Sequence, residues 1–147
     1  MTGVLNFAGL ECLKGETMYH FESENPYKPI PVRLKRAWAE TDDKTLKSFI
    51  FEFENPDDAQ KFNYLPGQFC QISLWGKGEA PFGIASSPTE GKELLFTVNR
   101  IGTLTNTLHE IPDGTLLGIR GPLGNWYPVD KFAGKDIVIV GGGYAFT

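Results

Sequence analysis

The chain has 147 residues, a formal net charge of -4 and a hydrophobic fraction of 41%. That length suffices for one domain with a real core and no stapling metal or disulfide, and 14 Lys plus Arg against 18 Asp plus Glu excludes a broad nucleic-acid or anionic-membrane surface. Its two cysteines, Cys12 and Cys70, are too few and too far apart for a disulfide framework or a zinc or iron–sulfur ligand set, which predicts no metal site and a reducing, cytoplasmic setting.

Residues 1–24 show no sustained period and read as an N-terminal extension, with Met18 an alternative start. They carry no basic region followed by a long apolar stretch, and no segment of the chain approaches the roughly 20 apolar residues that cross a bilayer, so a soluble protein is expected. NPYKPIP, from Asn25, is an extended lead-in rich in proline. Alternation then predicts strands with one buried face: Val32 and Leu34 in VRLKRAW, then Phe49, Phe51 and Phe53 in KSFIFEF. ENPDDAQKFNYLPGQ is turn-rich and holds at most a helical turn. FCQISLW buries Cys70, Ile72 and Leu74, EAPFGIASSP puts Phe82 and Ile84 on one face and Gly83 and Ala85 on the other, and KELLFTVNR buries Leu94, Phe96 and Val98. In TLTNTLHEI, Leu104, Leu108 and Ile111 recur at helical spacing and Pro112-Asp113-Gly114 ends a short helix over 103–111. TLLGIRG adds a strand with Leu117 and Ile119 inward. Short strands at this spacing predict a mainly β fold, a closed antiparallel barrel or a sandwich. DIVIVGGG differs: a continuous apolar run suits a strand buried on both faces of a parallel sheet, so 136–147 reads as the first strand and turn of a second, α/β domain whose remainder is absent from this chain.

Four stretches are candidates for chemistry. In VNRIGTLTNTL a strand ends at Arg100, and Gly102, Thr103 and Thr105 open a helix; this is either a phosphate site at unpaired helix N–H groups, with Arg100 supplying charge, or a simple cap. In EAPFGIASSP, Gly83 leaves bare backbone for a flat ligand, or marks a bulge or a barrel corner. Trp126 and Tyr127 in RGPLGNWY either stack a planar ring system or close the barrel end. GGGYAFT resembles a dinucleotide-binding turn but has Phe146 where the last glycine of the pattern would stand. His20 and His109 belong to no triad or ligand set, His109 being a surface or packing residue, and no nucleophile has a base beside it; an enzyme built on this sequence must borrow its chemistry from a cofactor.

In this order NPYKPIP, ETDDKTLKSF, LPGQFCQISLWGKGEAPFGIASSP, VNRIGTLTNTL, RGPLGN and IVIVGGG resemble the flavin-binding barrel of the ferredoxin–NADP reductase superfamily and the opening of its NAD(P)-binding domain. They are most similar to electron-transfer subunits of cytoplasmic hydrogenases, sulfhydrogenases and anaerobic sulfite reductases. The resemblance implies a six-stranded antiparallel Greek-key barrel with one short helix over 25–130. It also implies FAD as cofactor, with FMN possible, and NAD(P) only with the missing domain. By position, Phe82 stands for the family's flavin-contacting Tyr, Gly83 for the Ser near flavin N5, and Ala80 for its Arg, whose charge is therefore missing. Ile84, Ala85 and Ser86 match the segment beyond, while Gly102, Thr103, Leu104 and Thr105 match the pyrophosphate motif and Arg100 stands in for the lost arginine.

The implied function is an oxidoreductase module passing electrons between NAD(P)H and an iron–sulfur or hydrogenase/reductase partner subunit, inactive with NAD(P)H as this chain alone. The rival reading is a flavin-free barrel that docks subunits of a larger complex, favoured by Ala80 and Gly83. An unpaired apolar segment at 136–140 is expected to be disordered, folded back on the barrel or paired with another molecule.

Overall fold

Apolar residues at every second position become strands because only one face of each can be buried. The computed structural model describes residues 25–142; the extension 1–24, with Cys12, Met18 and His20, and residues 143–147 of the final glycine-rich turn lie outside the described residues. Strands β1 (Ile30–Ala39), β2 (Leu46–Phe53), β3 (Phe69–Leu74), β4 (Gly78–Gly83), β5 (Leu94–Asn99) and β6 (Leu116–Leu123) form one antiparallel sheet in the order β4-β3-β6-β1-β2-β5. Placing β6 between β3 and β1 is a Greek-key crossover. The sheet curls so that its two edges, β4 and β5, pack together. Beyond β4 they are joined by a hydrogen bond from Ala85 N–H to the Leu95 carbonyl (2.8 Å). The architecture is a mainly β, barrel-like fold.

The core is the set that alternation selects: Val32, Leu34, Phe49, Phe51, Cys70, Ile72, Leu94, Phe96, Val98, Leu117 and Ile119 are all buried. The register shifts between Leu34 and Arg36 of β1, a bulge that reverses which residues face inward further along that strand. Emptying one of the aromatic positions, such as Phe96 to Ala, is expected to cost about 3 to 5 kcal/mol.

The helical content exceeds what the sequence suggested. The turn-rich stretch after β2 holds a helix, α1 (Pro56–Lys61), because Asn55 accepts from Asp57 N–H, Pro56 opens the first turn, two aspartates follow and Lys61 closes it. The expected helix over 103–111 is α2 (Thr103–Leu108), with Leu104 and Leu108 buried and Ile111 packed on the core beyond its end. A 3-10 helix follows at Val129–Phe132. The apolar run at 136–140 forms no strand: Val138 is 88% and Val140 91% exposed. A parallel-sheet strand takes its hydrogen bonds from neighbours, and no strand pairs with it among the described residues.

Candidate functional site

The two stretches singled out in sequence meet on one side of the barrel, where α2 packs against β4. Within β4 the side chains alternate as expected. Ala80 and Phe82, paired with Ile72 and Cys70, lean on the core and are half-buried, as is Ile84 beyond them; Gly83, paired with Phe69, is exposed.

Backbone direction alternates with the side chains, and three observations fix it. Ile84 N–H donates to the Gln68 carbonyl (3.1 Å) on the β3 side, whereas Ala85 N–H donates to Leu95 on the β5 side. Pro81, which has no N–H, shares the parity of Ala85, as Pro does on an edge strand. Gly83 has that same parity, so its N–H points from the edge of β4 towards β5, yet among the described residues its ladder partner strand is β3 alone. A Cβ built on Gly83 would meet nothing within 4 Å, and its φ is not in the left-handed range.

Gly102, the residue before α2, shows the same pattern: φ is -134° and a Cβ would again meet nothing within 4 Å. Neither conformation nor packing among the described residues requires glycine at 83 or 102. Thr105 folds its hydroxyl back to accept from Ile101 N–H (2.9 Å) and Gly102 N–H (2.8 Å), so it caps the turn. The N–H groups of Thr103 and Leu104 head a helix and have no intrahelical acceptor. Thr103 is exposed, while the Leu104 side chain is buried and anchors the turn to the barrel.

Arg100 does not stand free at this turn. Its Nη2 pairs with Glu110 (2.5 Å) beyond the far end of α2, and its Nε donates to Asn106 (3.3 Å). On β4, Glu79 pairs with Arg120 rather than leaving a cation near Ala80; that contact holds the Glu79 carboxyl below its ordinary range. Arg100 and Arg120 are thus each held by a carboxylate.

The loop after β4 is tied on several sides. Ser86 Oγ accepts from Leu95 N–H (3.1 Å) and lies 2.9 Å from the Tyr64 hydroxyl, which donates to the Ser86 carbonyl (3.1 Å). Burial raises the Tyr64 pKa and keeps the phenol protonated. Buried Gln68 accepts from Leu65 N–H (2.8 Å) and donates to the Gly124 carbonyl (3.2 Å). Sequence reasoning missed Tyr64 and Gln68; their only signal was proximity to the LPGQ turn. Tyr127 packs over Gly67 and donates its N–H to the Pro66 carbonyl (2.8 Å), yet it and Trp126 are both exposed, so neither is core. His109 is a packing residue rather than a surface one: its ring is buried against Phe49, with Nε2 3.0 Å from the Val98 carbonyl.

Comparison with known proteins then decides the family. The oxidoreductase FAD-binding domain family matches residues 41–127. The chain belongs to this family. It is 35% identical over 121 residues to the sulfhydrogenase 1 subunit gamma of Pyrococcus furiosus, covering 82% of this chain and 41% of that one. It is 32% identical over 115 residues to the Methanocaldococcus jannaschii protein named "Probable dihydroorotate dehydrogenase B (NAD(+)), electron transfer subunit", covering 78% and 38%. The chain thus spans about two fifths of the curated relatives it matches. Among solved structures, an NADH-dependent reduced ferredoxin-NADP oxidoreductase aligns at TM-score 0.50 and 27% identity over 65% of this chain and 33% of that chain. The ferredoxin reductase of carbazole 1,9a-dioxygenase aligns at TM-score 0.56 and 22% identity over 72% and 31%, a likeness of fold.

FAD is the cofactor of this family, and the residues present fit one. Two glycines that the fold does not require leave open backbone on β4 and at the head of α2, the two elements brought together on one face. No helix among the described residues is long and apolar enough to cross a membrane.

Proposed function

We propose that this chain is the flavin-holding module of an oxidoreductase that passes electrons between NAD(P)H and an iron–sulfur partner subunit in the cytoplasm. The observation that carries the reading is the pair of open glycines, Gly83 and Gly102, on elements packed against each other. The Gly83 N–H would meet the reactive edge of the flavin ring, and half-buried Phe82 would flank it, with Ile84 and Ala85 fixing the strand end. Gly102 would let the pyrophosphate approach the N–H groups of Thr103 and Leu104, while Thr105 holds the turn in shape. Bound flavin supplies the ability to accept a hydride as an electron pair and release electrons singly; the protein supplies position and electrostatics.

Residues 25–130 would form this barrel domain, with 1–24 an extension before it. The exposed apolar run at 136–140 would enter the parallel sheet of an NAD(P)-binding domain, which accounts for a segment that finds no partner strand here. Support for the partner comes from the relatives' names, a sulfhydrogenase gamma subunit and electron transfer subunits.

The test is direct. The purified chain, titrated with FAD and separately with FMN, is expected to shift and quench the flavin visible spectrum and fluorescence, with FAD the tighter; no uptake of either would overturn the reading. The missing charge at Ala80 and the neutralised Arg100 favour a second reading, a flavin-free docking barrel. Gly102→Val combined with Thr105→Val separates the two: the flavin reading expects loss of cofactor, whereas docking alone expects no change in any property but local helix stability.

A further inference from the structure

We infer that Tyr64 and Ser86 are positioning residues that clamp the end of β4 to β5 and so hold the Gly83 N–H in place for the flavin; the last clause rests on the flavin reading above. The need for a clamp follows from Gly83 itself. Glycine has the greatest backbone freedom, and Gly83 has no side chain through which packing could fix it. The β3 ladder fixes it from the preceding side, and on the other side its position is set by the residues that follow.

Those residues are tied at successive positions. Ile84 N–H is held by Gln68 and Ala85 N–H by Leu95. At Ser86 the pattern changes, because Leu95 N–H is taken by a side-chain oxygen, Ser86 Oγ, where a backbone carbonyl would serve in a continuous ladder. A serine hydroxyl on its own rotates freely. Here it is fixed by the Tyr64 hydroxyl, which sits 2.9 Å away and donates to the Ser86 carbonyl. Donors and acceptors then balance: Ser86 Oγ–H donates to Tyr64 Oη, Tyr64 Oη–H donates to Ser86 O, and Leu95 N–H donates to Ser86 Oγ. Tyr64 is a rigid post for this purpose, since it is only 8% exposed and its ring lies tilted against Phe62, with centroids 6.2 Å apart. Ser86, matched to a cofactor-contacting segment by position, has its hydroxyl occupied within the chain.

Amide hydrogen exchange of the FAD-free chain tests the clamp. Tyr64→Phe and Ser86→Ala are each expected to raise exchange at Ala85 and Leu95, whose N–H groups are bonded across the clamp, by about fivefold to tenfold, the scale of one lost hydrogen bond. Ser86→Thr, which keeps the hydroxyl, is expected to restore wild-type exchange. Visible circular dichroism at saturating FAD tests positioning, since saturation removes any effect of affinity. Both single variants are expected to give the same altered spectrum, and the double variant no further change, because they break one device. A lowered thermal midpoint with wild-type exchange and wild-type spectrum would overturn the proposal and leave the pair a stabilising contact. Uptake of no FAD by the wild-type chain would sink the flavin reading alone, with the exchange result still deciding the clamp.

Discussion

Gly83 and Gly124 lie on either side of Phe69, and the chain treats them in opposite ways. Gly124 has φ of +81°, and a Cβ there would come within 2.7 Å of the Phe69 ring. Gly83 pairs with Phe69 across the β3–β4 ladder in ordinary strand geometry, with nothing near a hypothetical Cβ. One glycine is explained by the protein's own interior; the other is not. Glycine at a position that could accept any side chain lowers strand stability, so its presence points to something outside the chain that must come close. Gly102 belongs with Gly83, and Gly118, whose Cβ would lie 2.6 Å from that of Pro29, belongs with Gly124.

The largest effect expected from this contrast is at Gly124. Gly124→Val forces a β-branched residue into left-handed backbone and against an aromatic ring, two penalties that together come to about 3 kcal/mol. In a domain of this size the thermal midpoint falls by about 10 °C, as calorimetry would record, and any cofactor loss is secondary to unfolding. A midpoint within about 2 °C of wild type would erase the distinction between the two glycines.

The complementary substitutions are expected to spare the fold and strike the ligand. Gly83→Val suits a strand, while Gly102→Val gives up a favoured helix-capping residue, so the stability cost is less than about 1 kcal/mol in the first and about 1 kcal/mol in the second. FAD affinity is expected to fall about tenfold to a hundredfold, the scale of overpacking a fitted contact. Fluorescence titration beside a thermal melt separates the two quantities. Undiminished FAD binding in both variants would show that the open space serves nothing.

This contrast also marks where the sequence stopped being legible. The strands could be read because each buries one face: Cys70, Ile72 and Leu74 stand out by period alone and are all buried. The order of motifs carried the family and the pairing of Gly83 with Gly102. Helix α1 was hidden because it buries no residue and so leaves no apolar period. Tyr64 and Ser86 are 22 positions apart, and a hydrogen bond between two hydroxyls has no sequence pattern. Arg100 looked like a phosphate ligand in one dimension, and only the fold brings Glu110 to it. The contacts that tune the site are long-range and polar, whereas the contacts that build the barrel are periodic and apolar.

Helix α2 carries the same contrast at its two ends, open at Gly102 and sealed at His109. The His109 pKa is lowered, first by burial, with the Lys47 and Arg100 cations adding to the effect against the Val98 and Lys44 backbones, which favour the protonated ring. The charges acting on it among the described residues are cations: Lys47 Nζ donates to the His109 carbonyl (2.8 Å), and Arg100 is paired with Glu110. Nδ1 is buried, with no partner at hydrogen-bond distance among the described residues. A folded pKa below the unfolded one means that the unfolded chain binds the extra proton first. Stability is therefore full above about pH 6.5, the unfolded value, and falls as pH drops below it. His109→Gln keeps a donor for Val98 and cannot ionise, so the stability difference between wild type and variant is expected to shrink or reverse between pH 7 and pH 5 in paired urea titrations, a small effect beside those at Gly124 and Gly83. Parallel pH profiles for the two proteins would show instead that His109 contributes packing and no proton linkage.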